Sequence, residues 1–442
     1  MLLGACRLKR ILVLVVGLWA SLNFVSCSGY NSPNGTRLKN RVLASQGVTA
    51  TFTFGGLVIV NGQNDTLTRG VGSLGAGNSP GMMVLSPTRN IAGAFDAGGN
   101  AVYAIDTVSQ NTIGNVRLSG PTTSFVIPSA SAVGYAAVPA ATINGFPFQG
   151  AVQVMNFAAS SLTTTIAVAN AKTVVSNTNG TRLLVFSADS DALTILTPIT
   201  AVPPVDTSCY TNPPNAVCTI VQDPLFSRPV NAIVSGSTAY ILNCGLQCGG
   251  TQQASVAVFD LGSLTVTQSI PVDAATMALL SGSTLYVAGT PPTAPANACD
   301  QNTAATICGR LDVVDLGTGT VTGTTVITDG YHTKMDMTTN GQIFIGSRDC
   351  TNIGNVNNPS GEVRGCLSIY KIADGSVLFP PDNGNVDGLQ GFTSRNVEYV
   401  AEGGALRVYD TTKDILLIDD FLPLGTINIV GYVGDVKAID FF

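Results

Sequence analysis

A phrase of about sixteen residues recurs through this chain, and recurrence limits the possible folds more tightly than any single motif. ASVAVFDLGSLTVTQSI, from Ala254, returns as GRLDVVDLGTGTVTGTTVI from Gly309 and, less closely, as GALRVYDTTKDILLID from Gly404. Each copy joins two runs of β-branched and apolar residues through an Asp with Gly, Ser or Thr close behind it. Asp, Gly, Ser and Thr favour turns, so the phrase reads as a β-hairpin.

The hairpin belongs to a longer unit. In SPGMMVLSPTRNIAGAFDAGGNAVYAIDTVSQNTIGNVRL, from Ser79, four short strand-forming runs are separated by Pro, Gly, Asn and Asp. That is a four-stranded antiparallel meander. Comparable units have first strands near Met82, Ser124, Lys172, Val230, Thr276, Lys334 and Leu389, at spacings of about 41 to 58 residues. This is the range of propeller blades, and the repeated phrase is then strand three, turn and strand four.

The tail GDVKAIDFF reads as a lone first strand. RVLASQ near Arg41, LVIVNGQND near Leu57 and LTRGVGS near Leu67 supply the rest of that blade, so both termini close the ring. The expectation is an all-β fold, a single β-propeller over residues 41–442. Eight blades are favoured, or seven if the weaker units around Ser124 and Lys172 do not both count.

Composition agrees. Charged residues make up 11% of the 442, against about 25% in an average soluble protein. The formal charge of -6 comes without a basic cluster, which argues against a nucleic-acid partner. The first residues stand apart: Arg7, Lys9 and Arg10 precede the apolar run ILVLVVGLWASL, which is shorter than a spanning helix. Residues 1–26 therefore read as a signal peptide. Phe24-Val25-Ser26-Cys27 resembles a bacterial lipobox, with Phe24 where Leu is usual, and implies lipidation at Cys27. Residues 27–40 are then a polar tether. The expected location is outside the cytoplasm, as an outer-membrane lipoprotein or at the periplasm or cell surface. The membrane is reached through the lipid alone, and the protein is expected to be a monomer.

Eight further cysteines fall into near neighbours: Cys209 with Cys218, Cys244 with Cys248, Cys299 with Cys308, and Cys350 with Cys366. Even numbers at local spacing suit disulfides in an oxidising compartment. The rival is a zinc site at CGLQC, but zinc usually takes two such pairs, often with His, and the chain has one His. Disulfides are preferred, with no metal and no cofactor.

The units resemble the YVTN-type propeller repeat of bacterial surface and periplasmic proteins, in a superfamily that includes YncE-like and lactonase-like propellers. The unit from Ser79 carries the likeness best, with a Pro before the first strand, VLSPTRN at the first turn, and NAVYAID running into NTIGNVRL. The resemblance implies architecture and leaves chemistry open. The only Trp, Trp19, lies in the leader, so Trp-marked propeller families lack their signature.

In a propeller the loops joining strand 4 to the next strand 1 share a face with the loops joining strands 2 and 3, around the channel mouth. Three cysteine pairs fall in such 2–3 loops, and Cys209 with Cys218 in a 3–4 loop on the opposite face. Near the mouth, ITDGYHTKMDMTTNGQIFIGSRDC from Ile327 gathers the candidate binding residues Tyr331, His332, Lys334, Asp336, Arg348 and Asp349. Asp336 stands where other blades carry small or apolar residues and calls for a partner from Lys334, Arg348 or Lys437. Acid–base work by His332 with Asp336 and Arg348 is one reading; an ion-pair plug pinning adjacent first strands is the preferred one. Asp273, Asp329, Asp387 and Asp435, in or near 4–1 connections, could form an acidic ring. The expected function is binding of a protein or glycan at the cell envelope. A lactonase or sugar-acid hydrolase and a passive structural repeat protein are the alternatives.

Overall fold

A computed structural model describes residues 38–440, apart from 52, 69–72, 129–131, 144–147, 178, 198–206, 209–217, 293–307, 351–365, 381–383, 420–421 and 423. The expected signal peptide, residues 1–26, and Cys27 therefore lie outside the described residues. The described chain forms eight sheets, antiparallel except for one short strand, with one short 3-10 helix, Gly245–Cys248. Their first strands are Pro80–Leu85, Ser124–Val126, Ala171–Ser176, Pro229–Ser235, Met277–Ser281, Tyr331–Met337, Val386–Gly391 and Tyr432–Asp440, opening blades 1 to 8 in that order. Each first strand touches the next, and that of blade 8 touches that of blade 1, so the ring is closed. Eight blades are present, including both units whose sequence match was weaker.

Closure occurs where the termini meet. Tyr432–Asp440 is the first strand of blade 8, and Asn40–Gly47 pairs with it antiparallel, with Val42 opposite Ala438 and Leu43 opposite Lys437. Gly56–Asn61 is the third strand, and the short pieces Thr66–Leu67 and Ser73–Leu74 pair along its outer edge. Blade 2 carries an additional short strand, Thr207–Ser208, parallel to its fourth.

The repeated phrase is explained by its turn. Asp106, Asp260, Asp315 and Asp410 each end a third strand, and each carboxylate accepts a backbone N–H two or three residues on, at 2.6–2.8 Å. Four residues after each Asp the chain takes a positive φ, at Gln110 (60°), Leu264 (58°), Gly319 (66°) and Asp414 (58°). An Asp side chain that completes the turn and a residue held in the left-handed region reverse the chain into the fourth strand.

Packing follows from strand alternation. Eight hydrophobic clusters occupy the eight seams between neighbouring blades. Successive residues of a strand face opposite seams. Leu183 and Val185 pack toward blade 2, whereas Leu184 and Phe186 pack toward blade 4. Both faces are buried, so middle strands read as continuous apolar runs.

Two of the expected disulfides are present, Cys244–Cys248 and Cys350–Cys366, both in 2–3 connections. Cys218 and Cys308 are also disulfide-bonded; their expected partners, Cys209 and Cys299, lie outside the described residues.

Candidate functional site

The first strands do not pair regularly with their neighbours. In six of the eight blades the ladder between strands 1 and 2 slips by one residue near the mouth end of the first strand. His332 pairs with Ser347 but Lys334 pairs with Gly346, so Thr333 is the additional residue. Lys172, Val230 and Asp387 are its counterparts in blades 3, 4 and 7. A β-bulge bends its strand and re-aims a side chain. Here it sets one residue in each of those six blades free of the ladder at the rim of the channel.

Two of them, Thr333 and Asp387, line a recess of about 460 Å³ at the mouth. Its wall includes Gly81 and Met82 of blade 1, Thr123 ahead of blade 2, Thr333, Lys334 and Arg348 of blade 6, Asp387 of blade 7, and Tyr432 and Gly434 of blade 8. The volume falls within the range of about 300–1,000 Å³ typical of ligand clefts.

Ion pairs fix the charged side of this recess. The Arg348 guanidinium pairs with the buried Asp387 carboxylate, its Nε donating at 2.6 Å, and the Tyr432 hydroxyl donates to the other carboxylate oxygen at 2.6 Å. Burial and the Asp387 charge push the Tyr432 phenol up to about 12. Asp435, with no exposed surface, is held by Lys334 Nζ at 3.4 Å and Lys437 Nζ at 3.3 Å. It also accepts the N–H groups of Met83 and Val436 at 2.7 and 2.8 Å. Burial alone would raise this carboxyl. Lys334, then Lys437, with the two N–H groups, outweigh it and hold Asp435 below the ordinary carboxylate range. Burial pulls the Lys334 ammonium down while Asp435 opposes that shift. One carboxylate thus joins blades 6, 8 and 1.

The ion-pair plug expected from sequence is therefore centred on Asp435 and Asp387, and among the described residues Asp336 has no salt bridge. Asp336 lies deeper in the first strand of blade 6, accepts Gly391 N–H at 2.7 Å, and neighbours the fully buried Glu398 of blade 7. Burial raises both carboxyls. Each also feels Lys437, and Asp336 feels Arg89. Two carboxyls in contact avoid a double negative charge by retaining a proton between them.

Tyr331 and His332 fall inside the first strand of blade 6, not ahead of it, and they part company there. Tyr331 is exposed at the mouth, with Lys172 Nζ of blade 3 lying 5.8 Å from its ring centre. The His332 ring is fully buried, with Nε2 2.9 Å from the carbonyl oxygen of Thr328. Burial lowers its pKa to about 4, so the ring is neutral near pH 7. Alternation sends neighbours to opposite sides, which is why adjacent residues share no site here. Asp349 follows the second strand at a positive φ of 52°, its N–H donating to Asn385 Oδ1 at 2.9 Å. The candidates that meet at the recess are Lys334 and Arg348. The sequence reading missed Thr333, Tyr432 and Lys172 as rim residues. Nor do the four aspartates form a free acidic ring: Asp387 and Asp435 are paired as above, and Asp273 lies 3.6 Å from Arg310.

No protein-family model matches the chain, and no curated protein matches it in sequence. Solved structures do match in shape. A dihydro-heme d1 dehydrogenase, NirN, in complex with DHE aligns with a TM-score of 0.58 at 13% identity, over 93% of this chain and 77% of that one. The Dos1 propeller aligns with a TM-score of 0.56 at 10% identity, over 82% and 87%. A computationally designed protein, Ika8, aligns with a TM-score of 0.50 at 10% identity, over 83% and 96%. At such identities the likeness concerns the fold alone, and the chain is an eight-bladed β-propeller.

Proposed function

We propose that this protein is an exported, lipid-anchored binding module of the YVTN-repeat kind, which holds a protein or glycan of the cell envelope at its channel mouth. The observation that carries this reading is the recess of about 460 Å³ whose rim is built from bulge residues and the Arg348–Asp387–Tyr432 group. Ion pairs and disulfide-closed connections support a surface whose shape precedes the ligand, which reduces the ordering cost of binding. The leader and the lipobox-like Phe24-Val25-Ser26-Cys27 support export and anchoring. The hydrolase alternative rested on His332, which has no surface to offer a substrate.

Site-directed photo-crosslinking in the native envelope tests the binding face. A crosslinker at Ser79 or Thr123 on the rim should capture a discrete species that one at Thr412, in the 3–4 turn of blade 7, does not. Equal capture from both faces would remove the mouth from consideration. Cys27→Ser should abolish incorporation of labelled fatty acid; unchanged incorporation would dismiss the anchor.

A further inference from the structure

The chain enters the ring on the face opposite the recess. In blade 8 the first strand starts at the mouth with Tyr432 and ends at Asp440, where Asn40 pairs with it. The second strand, Asn40–Gly47, therefore climbs from the far face to the rim, where Gly47 and Val48 join the wall of the recess. Its lower end is fixed. The Asn40 carbonyl accepts the Gly62 N–H at 3.0 Å, and its Nδ2 donates to Ser394 Oγ at 3.1 Å in the 1–2 turn of blade 7. Leu38 packs against the hydrophobic seam between blades 8 and 1. Any tether ahead of Leu38 starts from this far face.

Chain length then limits how an anchor at Cys27 can hold the ring. Eleven residue steps separate Cys27 from Leu38. At no more than about 3.6 Å per step, the two stand at most about 40 Å apart. To lay the mouth on a bilayer, this stretch must first pass outside the third and fourth strands, about 15 Å with their side chains. It must then run up the height of the blade. The eight residues of the second strand rise about 24 Å, and the 48–55 connection follows at the rim. The whole path is about 45 Å, longer than the stretch at full extension. Turning the far face to the bilayer needs far less chain. Surface chemistry alone would favour the opposite arrangement, because Phe54 and Val430, both on the mouth side of blade 8, are 75% and 58% exposed and of the kind that lipid draws in. The tether decides against it.

We infer that the anchor holds the ring with its mouth turned away from the bilayer, so that the recess takes its partner from the aqueous side and not from the anchoring lipid. This rests on the anchored binding module proposed above and adds the side from which its partner comes.

Energy transfer from the full-length protein, reconstituted on vesicles of phosphatidylethanolamine and phosphatidylglycerol with a rhodamine-labelled headgroup, tests it. The donor dye is placed at Thr412, in the 3–4 turn of blade 7 on the far face, or at Thr123 on the rim, both exposed. Transfer from Thr412 should be at least about fivefold faster, because the blade's height of about 24 Å separates the two faces. Inserting about twenty Gly and Ser residues after Asn34 lengthens the reach and should bring the ratio below about twofold. Protein that floats with the vesicles yet transfers equally or faster from Thr123 would overturn the orientation while leaving the anchor standing. A ratio unchanged by the insertion would overturn it as well, since tether length would then not be the cause. Wild type that fails to float, or Cys27→Ser that floats equally, would show instead that the anchor itself fails, and the orientation with it.

Discussion

Replacing Glu398 with Gln should make the protein more stable at neutral and alkaline pH and change little in acid. Glu398 has no exposed surface, and its neighbour is the raised carboxyl of Asp336. Lys437 and Arg89 are the cations that act on this pair, and their pull is outweighed by burial. A carboxyl whose folded pKa is raised binds a proton more tightly in the fold than in the unfolded chain. Its stabilising effect is complete below the unfolded value, near pH 4, and is lost as pH rises through the folded value. Each pH unit of that window costs up to about 1.4 kcal/mol per retained proton. Glu398→Gln keeps the shape, removes this titration, and offers an N–H donor to Asp336 worth about 1 kcal/mol. At pH 8 the variant should exceed wild type by about 1–3 kcal/mol, with the difference shrinking toward pH 4. Urea midpoints followed by circular dichroism from pH 4 to pH 9 measure this directly. Parallel pH profiles for the two proteins would refute the account of Asp336 and Glu398 as a proton-sharing pair.

Three further outcomes follow from the geometry. Asp435→Asn strands two lysines that converge on one buried carboxylate and should cost about 3–5 kcal/mol, whereas Asp273→Asn, at a half-exposed pair, should cost under about 1 kcal/mol; thermal denaturation of both variants compares them. The single imidazole, His332, should titrate near pH 4 by NMR in untagged protein, and because its folded pKa is lowered its contribution to stability is present at neutral pH and lost in acid; a midpoint near 6.5 would contradict its burial. Replacing Cys350 and Cys366 by Ser should cost about 3 kcal/mol in chemical denaturation, more than the same change at Cys244 and Cys248, because the former bond closes the longer loop.

Much of the architecture was legible because it is local. Strand-forming runs, Asp-led turns and their spacing mark each blade, and the lone strand at the end of the chain pointed to Asn40–Gly47 as its partner. The site was less legible because its geometry is set between blades. Nothing near Asp336 in sequence announces Glu398, which stands in the next blade and reads there as an ordinary strand residue. Asp435 read as a member of an acidic ring in or near the 4–1 connections, yet its partners come from blades 6, 8 and 1. Tyr331 and His332 were grouped as neighbours although strand alternation separates them. The bulges leave only a faint trace, a one-residue break in alternation at the head of strands such as Ala171–Ser176, too short to distinguish from irregular composition.

The residue displaced by each bulge has a further significance for how such a ring can change. It forms no part of the register on either side, so its identity can be exchanged while the scaffold's folding instructions stay the same. Recognition and architecture are thereby written at separate positions of one strand. Varying Lys172, Val230, Thr333 and Asp387 together would generate a family of receptors on an unaltered frame, with Asp387 the one position where the frame's own ion pairing sets a limit.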